Sequence, residues 1–229
     1  MYSFLMIGQS NMAGRGSAAE VAPIENDRLF VQRNGRWQPM YVPVNPDRPF
    51  SGISLAESFA DMCSKKYNTD VGLIPCADGG TSLSQWQPGE ALYDNAVFRA
   101  RLAMRTSKLM GVLWHQGEGD CKSELYPYYE KKCMNVFESM RKDLGIENVP
   151  FIVGGLGDYL PEYDESTKNY VHINASLKKM AHEHSYIGYV SAEGLTPNPD
   201  NLHFNARSLR EFGERYFGKF EEMKANIQA

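Results

Sequence analysis

Short apolar segments that break off into glycine-rich polar turns recur along this chain of 229 residues and constrain its fold more than any other feature. Tyr2 to Ile7 ends at Gly8-Gln9-Ser10-Asn11-Met12-Ala13-Gly14. Val71 to Cys76 ends at Ala77-Asp78-Gly79-Gly80-Thr81, and Met110 to His115 at Gln116-Gly117-Glu118-Gly119-Asp120. Runs that are apolar throughout, not at alternate positions, mark strands buried on both faces. Pro150 to Gly155 and Tyr186 to Ser191 complete a set of five strands. Leu29 to Gln32 reads as a further short strand inside an irregular stretch, Gly14 to Gly52, with Trp37 covering the core edge. Between the strands lie helix-length segments. Ser54-Leu55-Ala56-Glu57 has capping-box spacing for a helix running to about Lys66. Others are expected near Tyr93 to Lys108, Glu124 to Arg141 and Thr167 to His182, with a final helix behind Asn205 carrying Leu209, Phe212, Tyr216 and Phe220 on one face. Strands alternating with helices imply a parallel sheet covered on both faces, here as a single α/β domain over residues 1–229.

Composition narrows the partners. Net charge is −4 and no run of lysines or arginines occurs, which argues against nucleic acid and anionic membrane. No apolar stretch approaches the roughly 18 residues of a membrane span. The N-terminus shows no basic segment followed by an apolar one and a cleavage site, so a cytoplasmic protein is expected. Cys63, Cys76, Cys121 and Cys133 form no C-x-x-C pair and read as four free thiols.

In a parallel sheet the three glycine-rich turns fall on one edge, the edge where open α/β sheets bind ligands. The loop Pro197-Asn198-Pro199-Asp200-Asn201-Leu202-His203 precedes the last helix and can join them. Acyl transfer at a serine needs a nucleophile, a base, an acid to orient the base, and donors for the developing oxyanion. Ser10, His203 and Asp200 suit the first three roles. An acid three residues before a histidine reaches Nδ1 and leaves Nε2 free for the serine. The Ser10 N–H, the N–H of Gly80 or its neighbour Gly79, and the side-chain amide of Gln116 suit the fourth. The α/β-hydrolase elbow, G-x-S-x-G, is not matched, because Met12 stands at its last position. No nucleotide-binding glycine motif is present.

Taken in order, Gly8 to Gly14, Gly79-Gly80-Thr81, Trp114 to Asp120 and Asp200-Asn201-Leu202-His203 resemble the four sequence blocks of the SGNH hydrolases. More narrowly they resemble the sialate O-acetylesterase and acetylxylan esterase branch, carbohydrate esterase family six. The resemblance implies a three-layer αβα sandwich with a five-stranded parallel sheet, flavodoxin-like, without metal or cofactor. It implies removal of acetyl groups from the hydroxyls of a small or oligosaccharide substrate such as acetylated xylo-oligosaccharides or sialate esters. It casts Ser10 as nucleophile, His203 as base and Asp200 as its partner, with Gly80 and Gln116 at the oxyanion. Gln116 stands where the wider superfamily has asparagine, a change this branch shares. Gln9 and Glu118 are then candidates for supporting the serine turn or touching sugar, and Trp86, Trp37 and Tyr159 for stacking on a pyranose ring. Two other classes make contrary demands: a non-catalytic carbohydrate-binding protein, and a metal-dependent deacetylase using His182 and His184.

Overall fold

The computed structural model describes residues 1–228. Five apolar runs form the expected strands: β1 (Tyr2–Gly8), β4 (Val71–Pro75), β5 (Lys108–His115), β6 (Phe151–Gly154) and, at one edge, β7 (Ile187–Val190). The sheet has seven strands, not five, in the order β3-β2-β4-β1-β5-β6-β7. The short strand expected at Leu29 to Gln32 forms as β2 (Leu29–Arg33), parallel to β4, and the unexpected addition is β3 (Arg36–Pro39), which runs antiparallel to β2 at the edge. Asn34 and Gly35 join them with φ of 48° and 73°, the two left-handed positions of a tight hairpin turn. An edge strand covered on one side needs no apolar run, so Arg36-Trp37-Gln38-Pro39 lacks the signature of the inner strands.

Helices cover both faces. α2 (Leu55–Tyr67) and α6 (Ala206–Gln228) pack together on one side, where Phe4 of β1 meets Phe59 and Phe220 edge-on. α3 (Ala91–Ala103), α4 (Tyr129–Leu144) and α5 (Tyr170–Glu183) lie on the other, where Trp114 packs between Trp86 and Phe137. The capping box at α2 forms as expected, and Asn205 caps α6 by accepting from the Ser208 N–H at 2.9 Å. α3 stops at Ala103, short of the expected Lys108, because Lys108 already opens β5. α4 starts at Tyr129, after a tighter helical turn containing Pro127. All four cysteines are buried and free. Among the described residues no helix is long and apolar enough to cross a membrane.

Strand order sets the position of the site. From β1 the chain builds outward through β2 and β4 on one side, and β5 then enters on the other. Connections leaving β1 and β5 diverge, and the crevice that opens between them at the carboxyl edge is the usual ligand site of such sheets.

Candidate active site

β1 must end abruptly for a side chain to stand at this crevice. Gly8 makes the break. Its φ is +129°, and a Cβ there would lie 2.0 Å from the carbonyl oxygen of His115 on the neighbouring strand. One extended residue later the chain winds into a single helical turn, α1 (Ser10–Ala13), with Ser10 first. The N–H groups of a first turn have no partner within their helix, so that of Ser10 is available to an anion.

His203 reaches this serine from 193 residues away, its Nε2 lying 3.0 Å from Ser10 Oγ. Its Nδ1 lies 2.7 Å from Asp200 Oδ2. Asp200 Oδ1 meanwhile accepts the N–H groups of Leu202 and His203, both at 3.0 Å, across a turn in which Asn201 takes φ 53°. Partial burial pushes the Asp200 carboxyl up, but the bonds from His203 and Leu202 outweigh it and hold the group below the usual carboxylate range. Asp200 is therefore anionic at neutral pH.

Asn11 joins the two halves. Its Oδ1 accepts the Phe204 N–H at 3.0 Å, and its Nδ2 donates to the Leu202 carbonyl at 3.3 Å and to Glu118 Oε1 at 2.5 Å. The histidine loop is thus fastened on both sides of His203 to the residue that follows the serine. Glu118 also meets the Nε2 of the fully buried His115 at 3.2 Å. Burial raises the Glu118 pKa, but the charge and hydrogen bond of His115 and the bond from Asn11 more than offset it, and the net shift is downward.

The donors differ in part from expectation. The Gly79 N–H is taken by Asp47 Oδ2 at 2.8 Å, whereas the Gly80 N–H donates to no protein group among the described residues. Gly80 sits at φ +76° with open space where a Cβ would stand. Gln116 does not reach the cavity. It is fully buried, and its amide nitrogen donates to Asp120 and to the Thr81 carbonyl, so it braces two loops against each other. Gln9, by contrast, lines the cavity. The Gln9 Oε1 accepts the N–H groups of Gly117 and Gly119 at 3.4 and 3.3 Å. That orients the carboxamide and leaves its Nε2 without a protein partner in a residue that lines the cavity.

That cavity, of about 360 Å³, is bordered by Ser10, His203, Gly80, Gln9 and Glu118, by the nearly buried Arg15, and by Arg48, Phe50 and Tyr163, which reach toward solvent. The last four come from the largely irregular stretches 15–52 and 158–165, where substrate selectivity is expected to lie, although none was singled out by name. The aromatic residues that were expected stand elsewhere. Trp86 is fully buried, with Nε1 bonded to Thr81 Oγ1. Trp37 covers Gly72 at the sheet edge, and Tyr159 packs edge-on behind Phe204. Bulk and polarity alone do not tell a ring in the core from one at a rim. His182 and His184 sit at the end of α5 and just past it. Among the described residues no three histidine, cysteine or carboxylate side chains gather as a metal site.

The probable carbohydrate esterase At4g34215 of Arabidopsis thaliana is 27% identical over 237 residues, covering 92% of this chain and 86% of its own. The crystal structure of that Arabidopsis protein superimposes with a TM-score of 0.87 at 23% identity, over 96% of this chain and 98% of its own. NanS follows with a TM-score of 0.80 at 17% identity, over 98% of both chains. XAC1771, a carbohydrate acetylesterase from Xanthomonas citri, gives 0.71 at 16% identity, over 98% of this chain and 57% of its own. The family model for carbohydrate esterases described as sialic acid-specific acetylesterases matches residues 1–222. With that match over nearly its whole length, the chain belongs to this carbohydrate esterase family and is an ester hydrolase.

Proposed function

We propose that the protein removes acetyl groups from sugar hydroxyls through an acetyl-Ser10 intermediate. The observation that carries this reading is the unbroken chain from Ser10 Oγ through His203 to Asp200, with contacts of 3.0 and 2.7 Å. His203 takes the Ser10 proton as Oγ attacks the acetyl carbonyl. Asp200 balances the imidazolium that forms. The tetrahedral oxyanion lies against the N–H groups of Ser10 and Gly80 and the Nε2 of Gln9. The sugar alkoxide leaves with the proton from His203, and water then repeats the sequence on the acetyl-enzyme.

Two measurements test this. Wild-type protein should release acetate from acetylated oligosaccharides in the presence of excess EDTA, because the chain itself supplies nucleophile, base and donors. A serine-reactive phosphonate should add its mass to the peptide carrying Ser10. Labelling at another residue, or no labelling together with no acetate release, would overturn the assignment.

Gln9 gives a separate test. Gln9→Met removes both ends of the carboxamide, whereas Gln9→Glu keeps the acceptor for Gly117 and Gly119 and loses the donor. If the amide serves the oxyanion, kcat falls about 10²–10³-fold in both variants with KM little changed. A purely bracing role would spare Gln9→Glu.

A further inference from the structure

The cavity has two properties that the hydrolytic mechanism leaves unused. One is the placement of Phe50 and Tyr163, which remain 69% and 51% exposed while lining the same pocket from separate loops. Other exposed rings, Phe98 and Tyr128 among them, stand away from the cavity, whereas these two share one pocket with Ser10. Neither loop is loose. Arg15 places its guanidinium 5.3 Å from the centre of the Phe50 ring while itself holding Asp47 through two parallel bonds of 2.9 and 2.7 Å. Arg48, two residues before the ring, donates to Asp78 and to the Gly79 carbonyl, both at 2.8 Å. On the other side the Thr167 hydroxyl closes the Tyr163 loop, sharing its one proton between the Leu160 and Asp164 carbonyls. Both rings are presented on anchored backbone, which is how a binding wall avoids an ordering cost.

The other property is charge. Only Arg15 and Arg48 bring positive charge to the lining, and each is already paired, with Asp47 and Asp78. The remaining carboxylates, Glu118 and Asp200, face histidines. An incoming anion therefore meets no unpaired arginine or lysine here.

We propose that Phe50 and Tyr163 form the subsite for the sugar that leaves, and that this sugar is uncharged, so that the substrate is a neutral O-acetylated oligosaccharide and not a sialate. The inference rests on the esterase reading above and names its alcohol component. Pyranose rings carry patches of C–H that lie flat on aromatic faces, and their hydroxyls are then left to the polar rim.

The test compares three acetyl esters: ethyl acetate, whose alcohol has no ring, acetylated xylobiose, and a 9-O-acetylated sialate. Phe50→Ala and Tyr163→Ala should each lower kcat/KM for acetylated xylobiose about tenfold and leave ethyl acetate within twofold. Phe50→Trp, which restores a ring, should recover the sugar ester. Wild type should favour acetylated xylobiose over the sialate by at least about tenfold. Equal losses on ethyl acetate and the sugar, or no loss on the sugar, would overturn the subsite. A preference for the sialate would overturn its neutrality. Failure of wild type to cleave ethyl acetate or either sugar ester would instead bring down the esterase reading.

Discussion

Ser10→Ala is expected to lower kcat for p-nitrophenyl acetate by about 10⁶-fold, the scale at which removing a triad serine disables catalysis elsewhere. The size of the effect follows from the surroundings of the hydroxyl. Its partner is His203 Nε2 at 3.0 Å, and no second hydroxyl or thiol lines the floor of the cavity to replace it. Thr167 lines the cavity too, but its Oγ1 is engaged with the Leu160 and Asp164 carbonyls. The fold should be untouched, because the loop positions of His203 and Gly80 depend on Asn11, Asp200 and Asp47 and not on the Ser10 side chain. Thermal unfolding should show the variant within about 0.5 kcal/mol of wild type. A variant that retains more than a hundredth of wild-type turnover would remove Ser10 as the nucleophile.

Most of this candidate site is legible in the sequence, for a physical reason. A fully buried parallel strand must be apolar throughout, and one that ends at a ligand crevice must stop at residues that tolerate sharp turns. The runs ending at Gly8, Cys76 and His115 satisfy both conditions, and all three lead into the cavity's walls. Asp200 and His203 were legible from their spacing and their place before the last helix. What was not legible was the direction of an amide. Gln116 and Gln9 both lie near the crevice, and only the folded chain shows that Asp120 holds the first inside while Gly117 and Gly119 turn the second outward. The outer wall was hidden for another reason. Arg15–Asp47 and Arg48–Asp78 pair across 32 and 30 residues, over β2 and β3 in the first case and α2 and β4 in the second, and no periodicity marks a contact between such loop residues. Hairpin β2–β3 is different again. The Asn34-Gly35 signal was present, but the strand after it lacked the apolar pattern of its neighbours.

Glu57→Ala is expected to destabilise the protein by about 3–5 kcal/mol at pH 8, although Glu57 lies outside the cavity. The side chain is fully buried between α2 and α6. One oxygen accepts the Ser54 N–H at 3.1 Å, closing the capping box, and the other lies 2.6 Å from Arg210 of α6. Alanine would leave the buried end of Arg210 without its counter-charge and the helix start without its acceptor. Glu57→Gln separates the two losses, since it keeps the cap and cannot ionise. Burial pushes the Glu57 carboxyl up to about 7, against the opposing pull of Arg210. A folded pKa above the unfolded value near 4.5 means that the native state holds an extra proton between those limits. Wild-type stability should therefore fall as pH rises from about 4.5 through 7, by up to about 3 kcal/mol, and level off above. In Glu57→Gln this part of the slope should vanish, leaving the variant close to wild type at pH 5. Urea midpoints at pH 5 and pH 8 decide the matter, and an unchanged slope in the glutamine variant would show that another group titrates. The consequence reaches the catalytic turn, because Ser54 Oγ, held at this same helix start, donates to the Met12 carbonyl at 2.7 Å. Loosening the α2 cap thus loosens α1, the turn that carries Ser10, and Glu57→Ala should lose activity on warming before it loses its fold.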